Sequence, residues 1–304
     1  MPGSSARSGL IIQAQSGFFT VDTPQGVVVC RLRGRLKQGR ARGDLAALGD
    51  HVHLEILSDG SGIIHRVEER RRAIVRLAPR ARGEYRQVLL ANADQAVFVF
   101  ACAQPEPRMR MLDRFLVIAE KQEVAPLIVA NKVDLVSLSR ARQLFAAYEP
   151  AGYAVLYTSV HSRAGLDDLA ARLAGKISVF AGPSGVGKSS LLRALRPGLN
   201  LDVQDIGAAN KGKHTTVVRR LIPLGDGSTY VADTPGWKSL ALWDTQPEEL
   251  DAYFPEIRPL VGQCRFSDCS HVEEPGCAVR AAVEAGRLSA ARYDSYVRLR
   301  AGMA

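Results

Sequence analysis

The chain has 304 residues, 46% of them hydrophobic, with 40 Lys and Arg against 31 Asp and Glu, a formal charge of +9. That length and apolar content fit two or three folded domains and exclude wholesale disorder and fibrous repeats. No apolar run approaches the ~18 residues of a membrane span, and the N-terminus MPGSSARSGLIIQ lacks the apolar core of a secretory signal, so a soluble, cytoplasmic protein with no membrane partner is expected.

Residues 9–75 carry short apolar or alternating runs at Leu10–Gln13, Phe18–Val21, Val27–Leu32, Val52–Leu57 and Ile63–Val67, separated by Gly, Asp and Pro. About five strands at that spacing predict a small antiparallel β-barrel of the OB-fold type over residues 1–75. Residues 1–86 hold 15 basic and 8 acidic side chains, so +7 of the +9 is concentrated there. Within it, Arg31, Arg33, Arg35, Lys37, Arg40 and Arg42 alternate with Gly34, Gly39 and Gly43. A flexible basic loop on a barrel, followed by Arg66, Arg70–Arg72, Arg76, Arg80, Arg82 and Arg86, suits the phosphates of RNA.

From about residue 76 the pattern becomes strand–helix alternation. Strands are expected at Gln95–Ala103, Ala125–Ala130, Ala154–Thr158, Ile177–Ala181 and Thr229–Ala232, and helices at Arg108–Glu120, Ser137–Tyr148, Leu166–Leu173 and Ser190–Leu195. This is the α/β signature of a parallel sheet flanked by helices, assigned to residues 76–243. Residues 244–304 form a third region: a Pro-containing stretch, a Cys/His cluster and a helical tail from about Ala278 to Arg300.

Gly182-Pro183-Ser184-Gly185-Val186-Gly187-Lys188-Ser189-Ser190 contains a complete phosphate-binding P-loop between a strand and a helix. Its glycines let backbone N–H groups wrap phosphates at a helix N-terminus. Lys188 would neutralise the β- and γ-phosphates, and Ser189 would ligate Mg²⁺. The base is read from Asn131-Lys132-Val133-Asp134, directly after a strand. The Asp134 carboxylate can accept both N–H donors of the guanine Watson–Crick edge, whereas adenine would leave it unpaired. Asn131 would tether the loop and the Lys132 stem would cover the base. Ser159, within Thr158-Ser159-Val160, is placed to offer a backbone N–H to the guanine oxygen. Asp233-Thr234-Pro235-Gly236 follows a further strand, with Asp233 on Mg²⁺ through water and the Gly236 N–H sensing the γ-phosphate. Between them, Lys211–Thr216 has the position of a mobile switch in which Thr215 or Thr216 binds Mg²⁺.

The order of these motifs is unusual. Asn131–Asp134 and Thr158–Val160 precede the P-loop, which precedes His214–Thr216 and Asp233–Gly236. That is a circularly permuted GTPase, in which the second switch leads directly into the C-terminal region. Where many GTPases place a water-orienting glutamine after the Asp-x-x-Gly segment, this chain has Trp237. His214, next to the Mg²⁺-binding threonines, is expected to orient the attacking water instead. Further on, Cys264, Cys269, His271 and Cys277 supply three thiolates and one imidazole, a closed tetrahedral set for structural Zn²⁺. Cys30 and Cys102 lie in apolar strands and read as core residues.

Leu112-Asp113-Arg114-Phe115, Asn131–Asp134, Gly182–Ser190, His214-Thr215-Thr216, Asp233–Trp237 and Cys264–Cys277 together resemble the RsgA (YjeQ/YloQ) family of ribosome small subunit-dependent GTPases. The resemblance spans nearly the whole chain. It implies a factor that binds the small ribosomal subunit and its rRNA late in maturation, hydrolyses GTP to GDP and phosphate there, and then leaves. It also implies low activity when free, and it favours Thr216 over Thr215 on Mg²⁺. Val160, Lys211 and Lys213 depart from the family pattern. A monomer is expected by default. Two other readings use the same residues: an RNA-binding switch in which GTP occupancy rather than turnover matters, and a permuted GTPase acting on another RNA such as the large subunit.

Overall fold

Apolar residues at every second position build five strands that close on one another: β1 (Arg7–Gln15), β2 (Phe18–Thr23), β3 (Gly26–Leu32), β4 (His51–Ile56) and β5 (Gly62–Val67). The pairing runs β1–β2, β2–β3 and β4–β5 antiparallel, β3–β5 parallel and β1–β4 antiparallel, the closure of an OB-type barrel. Ile11, Val21, Cys30, Val52, Leu54 and Ile64 fill its interior and are fully buried. Burial alone pushes the Cys30 thiol up to about 11, as expected of a core cysteine. The structure is a computed structural model and describes residues 7–37, 44–80, 83–199, 219–225, 227–233 and 245–302.

The described residues divide between two compact units. One comprises Met1–Gln95, Leu173–Phe180 and Leu201–Pro235. In it, β1 runs past the barrel and pairs with β12 (Arg219–Pro223) through Gln13 opposite Arg220 and Ala14 opposite Arg219. β12 is antiparallel to β13 (Tyr230–Asp233), which lies parallel to β11 (Ile177–Ala181). This unit also holds a hairpin of β6 (Ala73–Arg80) and β7 (Gly83–Ala91), which the sequence reading did not anticipate. Arg70 anchors the chain before that hairpin by a bidentate pair with the buried Asp50, at 2.7 and 2.8 Å.

The other unit comprises Ala96–Arg172, Ala181–Asn200 and Gly236–Ala304. β8 (Gln95–Ala101) and β10 (Ala154–Thr158) flank β9 (Ala125–Asn131), and β9 and β10 are parallel. All of β8 is buried, as a strand covered on both faces must be. Around them lie α1 (Met109–Lys121), α2 (Leu138–Phe145), α3 (Leu166–Leu173) and α4 (Lys188–Leu195). The helical tail is two helices, α5 (Ala278–Glu284) and α6 (Ala290–Arg300); the break falls at Gly286, whose φ of 69° a helix interior excludes. Leu250, Phe254, Ile257, Val279, Ala282 and Tyr296 pack with Val117 of α1 in one core.

A charged cluster sits inside that packing. Arg292 on α6 is 1% exposed, and it donates to Asp113 on α1 at 2.7 Å and to Glu256 at 2.6 Å. Tyr148 donates to Asp113 at 2.9 Å, and Ser295 also donates to it. Burial opposes the Arg292 charge, but Glu256 and Asp113 outweigh it and hold its pKa above the ordinary value. The Phe254 ring lies 4.6 Å from the guanidinium carbon. Asp113 was legible as part of a motif, whereas its partner Arg292 was not.

Candidate functional site

The loop after β11 reaches α4 through glycines held where other residues are strained. Gly182 has φ 153° and a Cβ there would meet Val99 O at 2.1 Å; Gly187 has φ 97° and its Cβ would meet Asn131 Nδ2 at 2.5 Å. Between them Pro183, Ser184, Gly185 and Val186 form the turn, and Gly185 is also left-handed, at φ 80°. Lys188 opens α4 and is largely buried, its ammonium donating to Gly182 O at 2.9 Å and Pro183 O at 2.7 Å. Ser189 and Ser190 continue the first turn of the helix. The result is a tight cradle of backbone around a buried cation, and glycine cradles of this kind fit phosphate. Gly187→Ala is expected to weaken GTP binding by roughly 5- to 150-fold, from about 1–3 kcal/mol of backbone strain, as read by titration with a fluorescent guanine nucleotide.

The Asn131–Asp134 segment leaves the end of β9 beside this cradle. Asn131 is buried, donates from Nδ2 to Val186 O at 2.8 Å and accepts from Thr158 Oγ1 at 3.0 Å. It thereby ties the segment after β9 to both the P-loop and β10, the tethering expected of it. Lys132 adopts a left-handed φ of 60° and its ammonium donates to Gln104 O in the loop after β8. Val133 and Asp134 begin a short 3-10 turn ending at Leu135. Asp134 Oδ1 accepts from Ser159 Oγ at 2.5 Å, so the two segments expected to face the base meet at that carboxylate. The Ser159 N–H is itself bonded to Ala164 O at 3.0 Å, and its hydroxyl also accepts from Ser162 N. Ser159 therefore touches the site through its side chain. Burial, and then the Asp134 charge, push the Cys102 thiol up to about 11, so it stays a protonated core group below the loops.

Asp233 ends β13, opposite Phe180 of β11, and only its backbone is described. His214, Thr216 and Gly236 lie outside the described residues, as do Thr215 and Trp237. Gln104 is a contact the sequence does not mark, because a backbone carbonyl acceptor has no sequence signature; Thr158 belongs to the segment expected at the base, and its side chain instead bonds Asn131.

The Cys/His cluster closes as its spacing predicts. Ligand atoms of Cys264, Cys269, His271 and Cys277 lie within 4.8 Å of one another. Cys264 and Cys277 sulfurs are 4.0 Å apart, and they are 3.4 and 3.5 Å from His271 Nδ1. A tetrahedron with Zn–S of ~2.3 Å and Zn–N of ~2.0 Å has edges of ~3.8 and ~3.5 Å, so the donor set fits that ion. On the far side of the ring, Asp251 is 3.5 Å from Nε2, placed to orient the imidazole. Tyr293 and Tyr296 of α6 donate to His271 O at 2.8 Å and Ser270 O at 2.9 Å, fixing the loop that carries the histidine. Glu274 collects the N–H groups of Ser270, Val272 and Glu273, and hydrogen bonds from Ser270, its side chain first and then its backbone, hold the Glu274 carboxyl below the usual range.

A P-loop that follows, rather than precedes, an Asn-Lys-x-Asp segment hydrogen-bonded to it defines a circularly permuted P-loop GTPase. Two family models match the chain, the RsgA N-terminal domain over residues 8–64 and the RsgA GTPase over residues 67–243. A relative from Gemmatimonas aurantiaca, a small ribosomal subunit biogenesis GTPase RsgA, is 45% identical over 98% of this chain and 97% of its own. The crystal structure of YjeQ from Thermotoga maritima matches with a TM-score of 0.79 at 36% identity over 98% of both chains. That of YloQ, a circularly permuted GTPase, matches with a TM-score of 0.77 at 32% identity over 100% of this chain and 97% of that one. The chain belongs to the RsgA GTPase family and is a GTP hydrolase. Among the described residues no helix is long and apolar enough to cross a membrane.

Proposed function

We propose that this GTPase works in the cytoplasm on the small ribosomal subunit, binding its rRNA late in maturation, hydrolysing GTP there and leaving as GDP and phosphate are produced. The reading is supported by the relatives' function as small ribosomal subunit biogenesis GTPases, at 45% and 42% identity over 98% and 95% of this chain. It divides the chain into an RNA-binding barrel over 1–75, a permuted GTPase domain over 76–243 and a zinc-binding helical region over 244–304, in a monomer. Sedimentation with purified subunits tests it: with a non-hydrolysable GTP analogue the chain should pellet with small subunits, and equal recovery with large subunits would refute it.

In this proposal Asp134 accepts the guanine N–H donors and is held in place by Ser159, while Asn131 fixes the distance from base site to P-loop. Lys132 and Val133 flank the base. Residues Gly182 to Ser190 enclose the phosphates, with Lys188 on the β- and γ-oxygens and the Gly236 N–H on the γ-phosphate. Ser189, Thr216 and Asp233 would hold Mg²⁺, which when bound offsets the charge that builds on the leaving oxygens. His214 orients the attacking water, because Trp237 has no group for that task. His214→Ala should therefore lose most subunit-stimulated turnover while GTP affinity stays within about twofold of the parent. Full stimulated turnover in that variant would remove the role.

Cys264, Cys269, His271 and Cys277 would bind one structural Zn²⁺, which when bound cross-links the loop to the start of α5. Metal analysis should find one zinc per chain. Cys277→Ser should lose it and lower the thermal midpoint, because that sulfur both belongs to the donor set and caps α5 through Arg280 N–H.

A further inference from the structure

Strand β1 changes partner half-way along. Residues Arg7 to Leu10 pair with β4 and close the barrel, whereas Gln13 and Ala14 pair with Arg220 and Arg219 of β12. The change falls at a β-bulge: Ile11 lies opposite Val21 and Gln13 opposite Thr20, so Ile12 is the extra residue. A bulge bends its strand and increases the local twist, which carries the end of β1 off the barrel and onto β12. The barrel strands and β12, β13 and β11 are thereby parts of one hydrogen-bonded sheet.

The junction lies beside the nucleotide-sensing segments. Leu221 of β12 stands opposite Ala232 of β13, so the start of β12 and the end of β13 share one end of the pair. Asp233 ends β13 there, and Arg219 follows Thr216 by three positions in the chain. The backbone of β1 is bonded at that same end, on Arg219 and Arg220. At the opposite end of the pair the buried Tyr230 donates its hydroxyl to Asp22 Oδ2 on β2 at 2.8 Å. The barrel is therefore fastened to both ends of the β12–β13 pair. Packed, hydrogen-bonded elements compress little and transmit displacement, so these strands follow a movement of the barrel.

We propose that the barrel regulates the nucleotide site through this shared sheet: RNA of the small subunit, bound to the barrel, shifts β12 and β13 and so sets the arrangement of Asp233 and of the segments joined to them. This rests on the RNA-binding reading above and adds the route by which binding reaches hydrolysis. Tyr230 and Asp22 are positioning residues, outside the nucleotide site. Coupling between two binding sites is reciprocal, so the nucleotide in turn sets the affinity for the subunit.

The test is a double-mutant cycle on the full chain with Tyr230→Phe, Asp22→Ala and both together. It reads GTP hydrolysis with and without small subunits, and sedimentation with them in a non-hydrolysable GTP analogue and in GDP. Gly227 O lies 2.9 Å from the Tyr230 hydroxyl, so Asp22→Ala leaves that hydroxyl an acceptor and the fold intact. Each single variant should keep its basal turnover and still pellet with small subunits. Each should lose about fivefold or more of the stimulation, and a similar factor of the preference for subunits in the GTP state. The double variant should lose no more than either single one, because both changes remove the same hydrogen bond. Asp22→Asn, which keeps an acceptor for the hydroxyl, should retain most of the stimulation. Full stimulation in both single variants, additive losses in the double one, or stimulation lost only together with subunit binding would overturn the coupling. Those results would leave the subunit-binding reading in place, whereas a wild type that neither sediments with small subunits nor responds to them would overturn both.

Discussion

Replacing Asp134 by asparagine is expected to lower GTP affinity by roughly a thousandfold and to make xanthosine triphosphate the better ligand. In the proposed site the carboxylate would accept two N–H donors from guanine in a charge-assisted pair, and Ser159 Oγ already donates to it at 2.5 Å. An asparagine offers one acceptor and one donor in the same place. Its donor would face the guanine amino group, leaving both unpaired in a partly desolvated site, and that mismatch produces large discrimination. Xanthine carries a carbonyl where guanine carries the amino group, so the same donor would find an acceptor. The phosphate cradle should be untouched by the change, because Lys188 is held by Gly182 O and Pro183 O and the loop is tied by Asn131 through Val186 O, none of which bonds Asp134. Titration of both variants with GTP, XTP and ATP checks this; equal GTP binding by Asp134→Asn would mean that the base is read elsewhere.

Replacing Arg292 by methionine is expected to cost about 3–5 kcal/mol of stability, because Asp113 and Glu256 would then be buried without a cation. The loss should be larger than for any exposed arginine of α6; Arg298, paired with Asp294 one turn away, should move the unfolding midpoint hardly at all. Adding Asp113→Asn to Arg292→Met should recover part of the loss, since it removes one of the stranded charges. Chemical denaturation of the single and double variants provides the comparison. Additive losses would show that the two side chains are not energetically coupled. The same cluster fastens α6 to α1, so its loss should also loosen the loop held by Tyr293 and Tyr296.

How far the sequence discloses these features depends on the range of the interaction. The five barrel strands follow from alternation within each segment, and their boundaries agree with the observed β1 to β5 to within a few residues. Fixed motifs such as Gly182–Ser189 and Cys264–Cys277 carry their geometry in their spacing. The hairpin of β6 and β7 was missed because Arg76, Pro79, Arg80, Arg82 and Arg86 interrupt its apolar positions and resemble a basic linker. Arg292 was missed for a different reason: an arginine in a helical tail resembles a solvated charge, and its acceptor Asp113 is 179 positions away in the chain. Gln104, which receives the Lys132 ammonium through its backbone, could not be found from side-chain chemistry at all.

The measurement that bears most directly on the function is steady-state GTP hydrolysis by the pure protein alone, with small ribosomal subunits and with large ones. A small-subunit-gated GTPase predicts slow turnover alone, strong stimulation by small subunits and none by large ones. Stimulation by large subunits, or by neither, would contradict it.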